Sequence, residues 1–444
     1  MKRIRVKSKN ILLLCVGLVT ILGTIVILSH DHALRIDIKR VINEFVDENI
    51  SQNGSGYYDH ITITDKMIEQ RFKDRRTQLE DACQRYKGDN AKLMRPCNRK
   101  LTGFNLKYVN GSDVLYCAIE KTGSTFWKRI LHIVGGWGND SNPTSIRSKD
   151  ADAKNGGFTT FDDYAWKRMI SKVSESDSIM FVRDPYTRLF SAWLDKFYNP
   201  NHYYWSTLGP LILKSERPYL EKIPKCAHDI TFVEFINFII KEVNRNPCLD
   251  GHFAPNYDHC FPCKMSYDYI GKYETLKEDT FHILNALNLS SLVTFNDFED
   301  DAVWDAVRDS GEFVFMNREK LEDCGIPFKC VLFKVWKRMQ SRGILSTNIP
   351  FPFQGNESVA NITEDEFTTS VIQASHASNP KEIRNNRKEA LEQAYQSIPL
   401  RAVSQLVEAF EVDFDLFGYD RYPNFVKIMS SSSSREYFEQ CPKF

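Results

Sequence analysis

The stretch Val114-Leu115-Tyr116-Cys117-Ala118-Ile119 runs into Glu120-Lys121-Thr122-Gly123-Ser124-Thr125 and then into Phe126-Trp127-Lys128-Arg129-Ile130-Leu131-His132-Ile133-Val134. A short apolar run rich in strand formers, a loop with one glycine and several hydroxyls, and an amphipathic run at helical spacing predict a strand-loop-helix unit. Such a unit aims the free N–H groups of the helix start at whatever sits above the loop, which suits a phosphate or sulfate. Lys121 adds a mobile cation, and Ser124 and Thr125 add hydroxyl donors. The spacing is not G-x-x-x-x-G-K-[ST], so it does not support an ordinary Walker nucleotide site. Taken alone, the segment fits equally a β-turn leading into a Ser/Thr-capped helix.

A second unit follows. Ser178-Ile179-Met180-Phe181-Val182 reads as a buried strand ending in Arg183, with Asp184 as N-cap and Pro185 at the first helical position. Phe190, Trp193 and Phe197 recur at helical spacing and read as core. A strand-end Arg183 and a helical Ser191 can converge on one phosphate if the helix folds back along the sheet, the guanidinium giving a fork of charge-assisted bonds. In isolation the pair fits a capping or surface role better.

Around these units the chain has 444 residues, 42% hydrophobic and 13% aromatic, enough for a substantial core. Its 58 basic and 58 acidic residues balance, so the overall charge gives no reason to expect a nucleic-acid binder. Residues 1–10 are basic, and 11–29 form an uncharged apolar stretch of membrane-span length without a good cleavage site after it. An uncleaved signal-anchor is expected, with the basic tail cytoplasmic and the rest lumenal. Sequons at Asn49, Asn53, Asn110, Asn139, Asn288, Asn356 and Asn361 agree with a lumenal location. So do the cysteines beyond Cys15, which would be largely disulfide-bonded there. Residues 30–74 read as a polar stem, 75–425 as one α/β domain, and 426–444 as a tail. The polar region Gly355–Asn379 reads as an insertion or surface loop, and Lys334-Val335-Trp336-Lys337-Arg338 as a solvated helix face more readily than as a site for an acidic sugar chain.

Together, K-x-G-x-T-x-W-K-R from Lys121 and V-R-D-P-x-x-R-L-x-S-A-x-x-D-K-F from Val182 resemble the two donor-binding motifs of membrane-bound carbohydrate sulfotransferases of the HNK-1 and chondroitin/dermatan 4-O type. Further similarity lies at Arg76–Cys83, Thr231–Phe235, His252–Pro255, Cys260–Cys263, Tyr269–Leu276 and Asp413–Tyr419. The family usually has proline where this chain has Glu120, and commonly Cys-Thr-Asn where it has Ser124-Thr125-Phe126.

The resemblance implies a P-loop-like sulfotransferase fold, a mostly parallel central sheet flanked by helices. It implies transfer of a sulfuryl group from 3′-phosphoadenylyl sulfate (PAPS) to a hydroxyl of a glycan, such as a glycosaminoglycan or a glycoprotein glycan, in the Golgi lumen and with no metal. The 5′-phosphosulfate would lie over Lys121, Thr122, Gly123, Ser124, Thr125, Phe126 and Trp127. The 3′-phosphate would lie at Arg183 and Ser191, with Arg188 of the same motif among the donor-binding residues. Lys121 would stabilise the leaving phosphate, and His252, or else Glu120, would be the base.

Two rival readings remain open on sequence. The first is a metal-dependent Golgi glycosyltransferase using Asp150-Ala151-Asp152 or Asp413-Phe414-Asp415. The second is a catalytically silent glycan-binding ectodomain, suggested by Glu120. Cys260-Phe261-Pro262-Cys263 near His252 and His259 could also hold zinc or act as a redox pair, although structural disulfides are favoured in a lumen.

Overall fold

The computed structural model describes residues 65–89, 104–109, 111–138, 140–153, 155–161, 166–246, 248–353, 357–427 and 436–441. The expected anchor 11–29 lies outside them. Among the described residues no helix is long and apolar enough to cross a membrane. Of the seven sequons only Asn288 and Asn361 are described, and both are exposed.

Five strands form one sheet: β1 (Leu106–Val109), β2 (Val114–Cys117), β3 (Phe158–Thr160), β4 (Asp177–Val182) and β5 (Tyr269–Lys272), in the order β3-β1-β2-β4-β5. β2, β4 and β5 run parallel, whereas β1 pairs antiparallel with β2 and with β3. The sheet is therefore mixed rather than mostly parallel. The cause is local: β1 and β2 are joined by a tight turn, which permits only antiparallel pairing, while helical crossovers separate the parallel strands.

Alternation along the strands divides the core. Leu115, Cys117, Met180, Val182 and Ile270 face one layer, with Leu79 and Ala82 of helix α1 (Asp65–Arg85) and Leu416 and Phe417. Val114, Tyr116, Ile179 and Phe181 face the other, with Trp127, Ile130 and Leu131 of helix α2 (Ser124–Val134) and with Ile283 and Leu284. α1 also covers the β5 edge, where Arg75 Nη1 donates to Ile270 O at 3.0 Å. Its first turns lie in the expected stem, yet Ile68 and Phe72 are buried, so the ordered unit starts ahead of residue 75.

β4 leads into helix α3 (Pro185–Trp193), N-capped by Asp184 with Pro185 in the first turn, as the sequence predicts. Its hydrogen bonding widens to a π-turn over Leu194–Tyr198. Phe190, Trp193 and Phe197 join a helical core with Phe232, Phe235, Tyr395 and Phe410. Burying each such ring is worth roughly 1.5–3 kcal/mol.

Three other expectations change. The helix Phe328–Ser341 is buried along its whole length, so Lys334, Lys337 and Arg338 are not a solvated face. Two of them end on carbonyl oxygens, Lys334 on His228 at 3.2 Å and Lys337 on Glu436 at 2.8 Å. Within 355–379 a helix spans Glu364–His376 and buries Phe367 and Val371, so much of this polar segment is core. The tail is anchored as well, by fully buried Tyr437 and by the Cys330–Cys441 disulfide.

The Cys260/Cys263 pair does not close on itself. Cys260 bonds Cys117 at the end of β2, and Cys263 bonds Cys83 of α1, so neither thiol is left for zinc or dithiol exchange. A further bridge joins Cys226 and Cys324. Peptide mapping under non-reducing conditions is expected to recover 83 with 263 and 117 with 260. Replacing Cys83 and Cys263 together by alanine is expected to lower unfolding free energy by about 2–4 kcal/mol, read from the guanidinium midpoint.

Candidate functional site

The loop between β2 and α2 turns through left-handed backbone at Lys121, φ 68°, and at Gly123, φ 89°. Gly123 occupies the N-cap position of α2, and no side chain caps it. The first N–H groups of α2 therefore face the loop mouth with the positive end of the helix dipole behind them. Ser124, Thr125 and Ser191 make no side-chain hydrogen bond to protein among the described residues. Thr122 is buried, its hydroxyl donating to Ile119 O at 2.8 Å, which holds the loop closed from beneath. Phe126 is half-buried, whereas Trp127 is fully buried and stacks on Tyr116 with centroids 5.6 Å apart. Trp127 thus supports the loop from the core and does not reach its mouth.

Lys121 Nζ ends 2.8 Å from Asp195 Oδ2, in the π-turn after α3. Asp195 also meets Arg338 at 2.9 Å and Lys196 at 3.1 Å. Burial opposes its charge, but Lys121, Lys196 and Arg338 hold the carboxyl well below its ordinary value. Burial brings the Lys121 ammonium down to about 8 although Asp195 opposes the shift. Asp195 lies inside the second quoted motif, yet its pairing with Lys121 is a three-dimensional fact that spacing alone does not reveal. Arg338 comes from the run read as a solvated face.

Arg183 joins the two units. Its Nη1 donates to Lys121 O at 3.1 Å, and its Nε donates to Thr187 Oγ1 at 3.1 Å. Arg188, which the resemblance places among the donor-binding residues, is engaged by the protein itself. It is almost fully buried; its Nε donates to Glu120 O at 2.9 Å, Nη1 to Ala254 O at 2.5 Å and Nη2 to Gly251 O at 2.8 Å. With its donors held by backbone carbonyls, Arg188 is a scaffold that fixes the loop against the segment carrying His252.

His252 stands half-buried beside Asp250 and Tyr204. Its Nδ1 lies 2.8 Å from Asp250 Oδ1, and since a carboxylate only accepts, Nδ1 carries the proton and Nε2 is the basic nitrogen. Tyr204 Oη donates to Asp250 Oδ2 at 3.1 Å. Burial, aided by Lys196, lowers the imidazole below its ordinary value, with Asp250 and Glu120 opposing.

Glu120 accepts from Asn105 Nδ2 at 3.1 Å with His259 Nδ1 at 3.4 Å. Burial raises its carboxyl, but the neighbouring histidines and Asn105 bring it below the ordinary value. It is not the carboxylate that pairs with Lys121. The buried His259, which sequence reading raised only as a zinc neighbour, is pushed down to about 4 by burial.

The two D-x-D triplets are engaged elsewhere. Asp413 is fully buried and accepts from the backbone N–H groups of Asn256 and Tyr257 at 2.7 and 2.9 Å, while Asp152 pairs with Lys128. Among the described residues no group of His, Cys, Asp and Glu could hold a metal ion.

An uncapped helix start, a loop lysine and a strand-end arginine at the carboxyl ends of parallel strands make a candidate anion site in an α/β domain. Residues 106–311 match the family model described as "Sulfotransferase family". Carbohydrate sulfotransferase 9 of Homo sapiens is 29% identical over 239 residues, 53% of this chain and 52% of that protein. Carbohydrate sulfotransferase 11 of Rattus norvegicus is 29% identical over 229 residues, 50% of this chain and 63% of that one. Carbohydrate sulfotransferase 14 of Danio rerio is 26% identical over 203 residues, 45% of this chain and 53% of that one. Residues 106–311 of the chain are thus similar to sulfotransferases, and the relatives matched are carbohydrate sulfotransferases. The chain matches just over half the length of the first of these relatives. No solved structure matches it.

Two predictions follow from the buried groups. Arg188→Ala is expected to strand several buried carbonyls at about 1–3 kcal/mol each, so the unfolding midpoint and secreted yield should fall, while Lys121→Ala leaves both near wild type. His259 is lower in the fold, about 4, than its ordinary 6.5, so the unfolded chain binds the extra proton between those values. Stability therefore falls as pH drops through that window, and His259→Gln should flatten the slope in urea melts run across it.

Proposed function

We propose that this chain transfers a sulfuryl group from PAPS to a hydroxyl of a glycan acceptor, working in the Golgi lumen behind an N-terminal anchor at 11–29. One observation carries the reading: Lys121 sits in the mouth of an uncapped helix start, and Arg183 is bonded to its carbonyl, so the two motifs form one anion site. The residues fit the donor. The N–H groups of Ser124, Thr125 and Phe126 face a 5′-phosphosulfate, the hydroxyls of Ser124 and Thr125 are available to it, and Arg183 with Ser191 faces the 3′-phosphate.

The chain's own groups then account for the chemistry. The acceptor oxygen bonds to sulfur as the bond from sulfur to the bridging phosphate oxygen breaks, and charge collects on that oxygen. Lys121, leaving Asp195, neutralises it, and the α2 N–H groups add fixed dipoles. His252 Nε2 takes the acceptor proton, with Asp250 and Tyr204 holding the ring. Asp195 and Arg338 keep the lysine pre-positioned before donor arrives.

The acceptor class is tested by transfer of labelled sulfate from PAPS into chondroitin, dermatan, heparan and N-acetylgalactosamine- or glucuronyl-terminated glycans. Incorporation into any one supports the reading; protein that binds neither PAPS nor its product adenosine 3′,5′-bisphosphate (PAP) overturns it. Lys121→Ala and Arg183→Ala are each expected to lower kcat/KM at least about tenfold, about 1.4 kcal/mol of barrier, with secretion intact. Because the His252 imidazole is depressed, its neutral, basic form persists below its ordinary value near 6.5. The acid limb of kcat/KM should lie below that pH, and His252→Gln should remove the limb along with most of the rate.

A further inference from the structure

His252 is one of several groups gathered around a single ring, that of Tyr204. Tyr204 Oη lies 3.0 Å from His252 Nδ1 and donates to Asp250 Oδ2 at 3.1 Å. Lys196 Nζ stands 5.2 Å from the ring centroid, and the rings of Phe197 and Phe253 pack on it from the core, each at 6.0 Å. Tyr203 leans on the same ring, with centroids 5.3 Å apart and planes at 81°. The two tyrosines differ sharply in exposure: Tyr204 is 6% exposed and Tyr203 58%. Among the described residues the Tyr203 hydroxyl makes no hydrogen bond, and its ring touches no aromatic ring but that of Tyr204.

The backbone beneath holds the exposed ring in place. Asn201 caps the helix His202–Ser206 by accepting from Tyr204 N at 3.3 Å. Buried Trp205 is pinned twice, its carbonyl accepting from Ala227 N and its Nε1 donating to Phe197 O, both at 2.8 Å. Thr207 donates to Tyr203 O from its N at 3.0 Å and from its Oγ1 at 2.7 Å. A ring carried on backbone fixed at both sides loses little freedom when a ligand packs on it.

One exposed aromatic residue on a surface needs no explanation by itself. This one is joined through Tyr204 to the base of the proposed reaction, and a cation and a carboxylate border the same Tyr204 ring. An aromatic face with one donor and one acceptor beside it has the chemistry that holds a pyranose: the C–H groups of the sugar lie on the π-face and its hydroxyls turn to the polar groups. Lys196 meets Asp195 at 3.1 Å and has ammonium protons to spare, and the Asp250 carboxylate has acceptor capacity beyond Tyr204 and His252.

We propose that the Tyr203 ring is an acceptor subsite. It stacks on the apolar face of a pyranose next to the sugar whose hydroxyl meets His252 Nε2, with Lys196 and Asp250 as its polar rim. The assignment rests on the sulfuryl-transfer reading above and adds to it where the acceptor chain lies.

Saturation-transfer NMR on the PAP-loaded chain tests it, with chondroitin, dermatan, heparan and N-acetylgalactosamine- or glucuronyl-terminated oligosaccharides as the glycans. Wild type should bind at least one of them and pass saturation to its ring C–H protons. Tyr203→Ala should weaken that glycan at least about fivefold, whereas Tyr203→Phe, which keeps the ring, should stay within about twofold. PAP affinity and the melting temperature should not change in either variant. In turnover with the same glycan, Tyr203→Ala should raise KM by a similar factor and leave kcat and the acid limb of the pH profile where they were. A Tyr203→Ala variant that binds the glycan like wild type overturns the assignment. So does one that lowers kcat or moves the acid limb at unchanged glycan affinity, since the ring would then serve only to prop Tyr204 against His252. Wild type that binds PAP but none of the glycans overturns the subsite and leaves the donor site standing, while wild type that binds no PAP removes both.

Discussion

The grip of Arg188 on three carbonyl oxygens is the constraint on which the rest of the site depends. A guanidinium buried to this degree costs several kcal/mol in lost hydration unless its donors are matched, and here they are matched by Glu120, Gly251 and Ala254. One side chain of α3 thereby fixes the start of the β2–α2 loop and the segment around His252. The lysine and the histidine, far apart in sequence, are held in one frame by this one side chain. The Cys117–Cys260 bridge fastens the end of β2 to the same region from beneath.

Within that frame the charges are arranged for exchange of partners. Asp195 is the single carboxylate shared by Lys121, Lys196 and Arg338, and Arg338 is steadied by Ser310 Oγ at 2.7 Å. Removing Lys121 from this group leaves two cations on Asp195, so the lysine can turn to an incoming anion without stranding a buried charge. Arg183 is held differently, by Lys121 O and Thr187 Oγ1, and makes no ion pair among the described residues. The site thus pairs a lysine already neutralised and ready to switch with an arginine anchored to the loop backbone.

Much of this was legible in the sequence, and the reason is local. Strand, loop and helix around Lys121 carry their own periodicity, and Asp184-Pro185 marks a helix start that the fold reproduces. The buried role of Phe190, Trp193 and Phe197 follows from spacing alone. What was not legible depends on long-range contacts. Lys334, Lys337 and Arg338 read as a wet face because their charges carry no sign that backbone carbonyls and Asp195 await them inside. The polar composition of 355–379 hides Phe367 and Val371, and the hairpin that makes the sheet mixed is a matter of turn length. That Arg188 of the second motif ties the loop to the segment around His252 shows only in its three carbonyl partners. Glu120, which looks hostile to an anion in sequence, is turned toward Asn105 and His259.

The central claim is that the uncapped start of α2, Lys121 and Arg183 form one donor site. A crystal structure of the chain with PAP tests it most directly. The account predicts the 5′-phosphate over the N–H groups of Ser124 to Phe126, with Lys121 Nζ turned from Asp195 toward it and the ribose phosphate against Arg183. PAP bound away from this loop, or bound there with Lys121 still on Asp195 and Arg183 uninvolved, would contradict it.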